Sequence, residues 1–171
     1  NFRVVIQQKQ EQKVSEPKWS FFADSAIHCG PFIFNSDNGI SILFQDSTKS
    51  LICLDGSGNV SWKTTINGFI NGKISQTVND QLGLLQFVCS TDDSIYMFNQ
   101  NGVLPARYPF KLPFKSRNGV VASPNANVLF VAGENNLMYV FDPGSRPSQN
   151  WNTVQLNGNL FNASIDASGR F

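Results

Sequence analysis

The sequence repeats at a period of about 43 residues. The stretches SLICLDGSGNVSW (50–62), SIYMFNQNGVLPARY (94–108) and LMYVFDPGSRPSQNW (137–151) share one plan: an apolar strand, then Asp or Asn, then a Gly-containing turn, then an aromatic. Asp55, Asn99 and Asp142 stand 44 and 43 residues apart. Phe44, Phe87 and Phe130 are separated by 43 and 43, and Trp19, Trp62, Tyr108 and Trp151 by 43, 46 and 43. A fixed period of this length means one supersecondary unit built several times and stacked on itself.

Each period resolves into four short strands. In the first they fall at 27–34, 40–46, 50–55 and 60–66; in the second at 70–78, 82–88, 94–99 and 103–110; in the third at 118–123, 127–132, 136–142 and 150–156. SDNG (36–39) and DGSGN (55–59) are turn sequences, because Gly and Asn tolerate positive φ. No stretch sustains the i, i+3, i+4, i+7 apolar spacing of a helix. Four short antiparallel strands at a 40–45-residue period identify a β-propeller blade. One four-stranded sheet cannot cover both its faces, whereas blades stacked around an axis cover each other. The recurring Trp or Tyr then packs between blades.

The expected architecture is all-β, with about four blades' worth of sequence. A half blade spans 1–22, whole blades span about 27–66, 70–110 and 118–156, and a second half blade spans 160–171. The two halves would either close on each other as a four-bladed ring or belong to a larger one; self-association of two such chains is a third arrangement. The chain starts without Met and stops inside a strand-like pattern, so it is expected to be a segment of something longer.

Composition agrees with this plan and narrows the function. Net charge is +1, which gives no global pull toward nucleic acid or an anionic membrane. No run reaches 18 apolar residues, so none reads as a membrane span. Cys29, Cys53 and Cys89 are odd in number and lack a CxxC pair, which reads as free thiols buried in strands; a Cys29–Cys89 or Cys53–Cys89 bridge stays open.

The stretch 17–62 resembles the repeat of the pyrroloquinoline-quinone-like, or quinoprotein-dehydrogenase-like, propellers. Trp19, Phe21, Gly30, Pro31, the run Leu51 to Asp55, Gly58 and Trp62 stand at the places of that repeat. The second copy departs from it, with Tyr108 for Trp and a Pro-rich LPARYPFKLPFK; the third keeps Ser123, Pro124, Asp142 and Trp151. The resemblance implies a ring of seven or eight blades, the remaining blades coming from the same or another chain. Redox members of the superfamily hold the quinone with a stacking Trp, an adjacent-Cys disulfide and calcium. This chain has no adjacent cysteines and no carboxylate cluster set aside for a metal, so neither a cofactor nor a metal is expected.

Other chemistry is sparse. His28 is the only histidine and reads as a core or seam residue inside a strand. DGSGN fails as an EF-hand, since the bidentate carboxylate position would fall on Ile66. RYPFKLPFKSR (107–117) interleaves Arg107, Lys111, Lys115 and Arg117 with aromatics and is the candidate partner-contact loop. Its bland reading is a blade connection with Phe inward and Lys outward. Sequons occur at Asn59 and Asn162; Asn59, in a turn, is the candidate glycosylation site, and localisation leans toward a secretory or extracytoplasmic compartment. The expected role is a non-catalytic propeller module that binds a protein partner as scaffold or sensor. The alternatives are a fragment of a quinone-dependent dehydrogenase-like enzyme and a basic-loop binder of phosphate-bearing ligands; nucleic acid is not an expected partner.

Overall fold

A computed structural model of the chain describes residues 18–36, 39–78, 84–116, 118–123, 127–143 and 154–155. These residues contain no helix and form three four-stranded antiparallel sheets. The first is β1 (Ile27–Ser36), β2 (Gly39–Asp46), β3 (Ser50–Asp55) and β4 (Val60–Thr65). The second is β5 (Asn71–Val78), β6 (Leu85–Ser90), β7 (Ser94–Asn99) and β8 (Phe110–Lys111). The third is β9 (Val120–Ser123), β10 (Val128–Ala132), β11 (Leu137–Phe141) and β12 (Val154–Gln155). Within each sheet, strands neighbour each other in sequence order, which is the up-and-down meander of a propeller blade. The described residues are therefore a partial β-propeller of three blades.

Alternation along the strands produces the stack. In blade 1, Leu43, Leu51 and Cys53 face blade 2, where they meet Phe87, Cys89, Tyr96 and Phe98. On the opposite side of blade 2, Val88, Ile95 and Met97 meet Leu129, Val131 and Phe141 of blade 3. Every central strand is thus apolar on both faces, as expected of a sheet covered twice. The innermost strands of blades 2 and 3 approach backbone to backbone. A Cβ on Gly119 would lie 2.5 Å from the carbonyl oxygen of Asn71, and one on Gly72 2.8 Å from that of Asn118. Only glycine fits at both crossing points.

Two expectations change. The strand read at 103–110 shrinks to Phe110–Lys111. Pro105 and Pro109 supply no N–H to a ladder, and Tyr108 N–H instead closes a turn onto the Pro105 carbonyl at 2.9 Å. The phenylalanine series also fails to mark one position. Asp55 and Asn99 are equivalent, and they pair with Ser41 and Gln86, 45 residues apart. The β6–β7 hairpin is one residue shorter than its counterparts, so Phe44 and Phe87 occupy different rows. Phe130 lies on the opposite face, packed with Val128, Met138 and Val140.

Candidate interaction surface

Asp55 and Asn99, which end β3 and β7, organise the turns after them. Asp55 Oδ1 accepts from the N–H groups of Ser57 and Asn59 at 2.8 and 2.9 Å; Asn99 Oδ1 accepts from Asn101 and Val103 at 3.0 and 2.9 Å. These bonds hold the Asp55 carboxyl below the usual range, with the Asn59 N–H the largest contributor. DGSGN is thus an Asx-type turn, and Asn59 is exposed within it. Its side-chain amide donates to Asp55 Oδ2 at 3.3 Å. The second sequon, at Asn162, lies outside the described residues.

Aromatics from outer segments reach these turns: Trp62 from β4, and Trp19 and Tyr108 from stretches outside the strands. Trp62 Nε1 donates to the Gln100 carbonyl at 2.9 Å, and its ring lies over Gly102, where a Cβ would come within 2.6 Å of the ring. Trp19 repeats the arrangement on blade 1, donating to the Gly56 carbonyl at 3.1 Å with its ring over Gly58. Tyr108 Oη donates to the Pro143 carbonyl of blade 3 at 2.6 Å. These aromatics are clasps that rest on a turn, and Trp62 and Tyr108 also pack into the seams between blades, as expected. Trp151 lies outside the described residues.

The basic run is divided between two ends of the blades. Arg107 precedes Tyr108, which is docked at the end carrying the Asx turns. Lys111 is at the other end, where its ammonium bonds and ion-pairs with Asp93. That bond is the largest cause of the Asp93 carboxyl being held below its ordinary range. Lys115 is exposed, while Leu112 and Ser116 beside it are buried and Phe114 stacks on Tyr139 at 3.9 Å between centroids. Arg117 lies outside the described residues.

At the Lys111 end, a shallow groove opens between blades 1 and 2. Lys49, Asn67, Phe69, Thr91, Asp92 and Asp93 line it. The His28 ring lies tilted against Phe69 with centroids 4.1 Å apart, and the Lys49 ammonium lies 5.7 Å from the centre of the same ring. His28 is exposed, which corrects the reading of a core or seam histidine: it stands at the open end of β1, beyond the covered part of the strand. Asp92 accepts from the Asn71 amide at 2.8 Å. The sequence reading missed this groove. The one local signal was Phe69, an aromatic set in the Gly-flanked connection INGFING. The other lining residues are brought together only by blade stacking.

Among the described residues, no three His, Cys, Asp or Glu side chains are grouped as metal ligands. The three cysteines are free thiols. Burial pushes the Cys53 thiol up to about 11 and raises Cys89 further.

No family model matches the chain, and no curated protein matches it by sequence. Solved structures do. A protein of unknown function from Bacteroides caccae superposes with a TM-score of 0.54 at 14% identity, over 88% of this chain and 54% of that one. BBS1N, crystallised in complex with ARL6DN, gives 0.55 at 12% identity, over 73% and 38%. BamB from Moraxella catarrhalis gives 0.50 at 11% identity, over 74% and 35%. BBS1N and BamB are β-propellers, so the fold is a β-propeller. This chain spans about half or less of the length of each of the three.

Proposed function

We propose that the chain is a non-catalytic β-propeller module for protein–protein interaction, in a scaffold or sensor role. The observation that carries this reading is the groove between blades 1 and 2. An exposed aromatic, Phe69, lies against His28 with the Lys49 ammonium 5.7 Å from its centre, and the Asp92 carboxylate lines the same groove. An apolar anchor ringed by fixed charges of both signs suits the side chains of a peptide segment. BBS1N, one of the propellers of similar fold, is solved with a protein bound; at 12% identity the likeness concerns the fold, and the partner of this chain is a separate question. The basic-loop alternative is less well supported, because Asp93 already neutralises Lys111.

Panning a random peptide library against the chain tests the proposal. Peptides enriched on the wild type are expected to bind at least about tenfold more weakly to a Phe69→Ala, Lys49→Glu variant. Equal binding to both would overturn the assignment of the groove. Dye-linked oxidation of an alcohol or sugar after addition of pyrroloquinoline quinone and calcium would overturn the non-catalytic reading in favour of the quinoprotein alternative.

A further inference from the structure

The two faces of blade 1 differ in how completely they are covered. Toward blade 2 the seam is closed. On the other side, Phe44, Ile52 and Leu54 are buried beneath Phe21 and Ala23, with Phe21 and Phe44 ring centroids 5.8 Å apart. Further along the same face, Ile27 is 54% exposed, Ile33 66% and Ile40 47%. Isolated exposed aliphatics are ordinary, but three on one sheet face beside a buried apolar cluster form an open continuation of it.

The other blades show what belongs there. Ile33, Gln76 and Ala122 hold one equivalent position, pairing with Ile42, Phe87 and Leu129 on the second strand of their blades. In blade 2 this position is covered by blade 1, and the Gln76 amide donates to the Asn35 carbonyl at 2.8 Å. In blade 3 it is covered by blade 2, and Ala122 is 7% exposed. Only in blade 1 is it open. Trp19 supplies the second, independent observation. Trp62 and Tyr108 come from the outer segment of the blade that covers the next one, and each clasps the turn of the blade it covers. Trp19 makes the same clasp on the blade 1 turn. By that rule its segment is the outer edge of a blade stacked on the open face.

We propose that the face bearing Ile27, Ile33 and Ile40 is a blade-docking face, occupied by the inner strands of the β-propeller blade whose outermost segment carries Trp19. In all three described sheets the four strands follow each other in sequence, with none borrowed. The occupant is therefore assigned to the same polypeptide, on the N-terminal side of Trp19. This inference is independent of the groove and of the interaction reading.

Photo-crosslinking from p-benzoylphenylalanine at position 33, and separately at position 40, tests it in the natural polypeptide. Both sites are exposed enough here for the bulky side chain to leave blade 1 folded, and circular dichroism checks that it does. Mixed light and heavy isotope-labelled chains identify the source of each adduct. The expected result is an adduct to a segment N-terminal to Trp19, with light joined only to light and heavy only to heavy. Light–heavy adducts would assign the face to a second copy. Adducts to a different protein, to residues C-terminal to blade 3, or no adduct at either position would equally overturn the proposal.

Discussion

Trp62 joins two blades through one hydrogen bond and one ring face. Its indole N–H reaches the Gln100 carbonyl, and its ring covers Gly102, whose φ is +75°. Trp62→Phe keeps an aromatic face and removes the donor, so it should cost about 1 kcal/mol. Trp62→Ala also removes the packing and should cost about 3 kcal/mol. Gly102→Ala meets both the positive φ and the ring, and should cost about 2 kcal/mol or more. Urea unfolding followed by circular dichroism measures all three; a Trp62→Ala cost within about 0.5 kcal/mol would show the clasp to be idle. A second residue-scale effect is acid sensitivity. Asp46 is buried in the β2–β3 turn, where burial alone would raise its pKa. Hydrogen bonds from Thr48 and Ser50 outweigh that, and the carboxyl stays below its ordinary value. Asp55 and Asp93 are lowered as well. A lowered folded pKa contributes stability above the unfolded value, so this contribution should be present at neutral pH and be lost as pH falls below about 4. Asp46→Asn should lower the urea midpoint at pH 7 and lose less on going to pH 3; an unchanged midpoint at pH 7 would contradict the assignment.

At the scale of strands and turns, what was legible depended on which residues carried the pattern. Asp55 and Asn99 were readable because one oxygen satisfying two turn N–H groups is a local arrangement written in five consecutive residues. The phenylalanine series misled because spacing in sequence is not register in the sheet: the rows of β2 and β6 are 45 residues apart, so Phe87 stands two positions from the row of Phe44, and Phe130 lies on the other face. The short β8 was legible in principle, since Pro105 and Pro109 stand inside the 103–110 stretch. The groove at Phe69 was not legible, because Lys49 and Asp93 meet it only through packing of separate blades. The seams themselves should dominate stability. Phe98 is fully buried and stacks with Trp62 and Tyr96 at 5.8 and 6.2 Å. Phe98→Ala should therefore cost about 3–5 kcal/mol, whereas Val60→Ala at a half-exposed site should stay within about 0.5 kcal/mol. Similar costs at the two sites would mean that the blade 1–blade 2 seam is not the core.

For the whole molecule, stability passes from blade to blade through two devices: apolar rows between sheets, and an aromatic reaching forward to the next turn. The rows are shared by the two sheets they join, whereas the clasp runs one way, from Trp62 of blade 1 to blade 2 and from Tyr108 of blade 2 to blade 3. The fold was legible from the period because the repeat is itself the architecture. The partner was not, since recognition on a propeller is assembled from turns of different blades. The forward clasp is the central claim, and the NMR resonances of Gly58 and Gly102 test it most directly. A glycine lying against an indole face should show Hα protons shifted strongly upfield by the ring current, with cross-relaxation from Gly58 to Trp19 and from Gly102 to Trp62. Glycine shifts at random-coil values, with no cross-relaxation to either indole, would contradict the account.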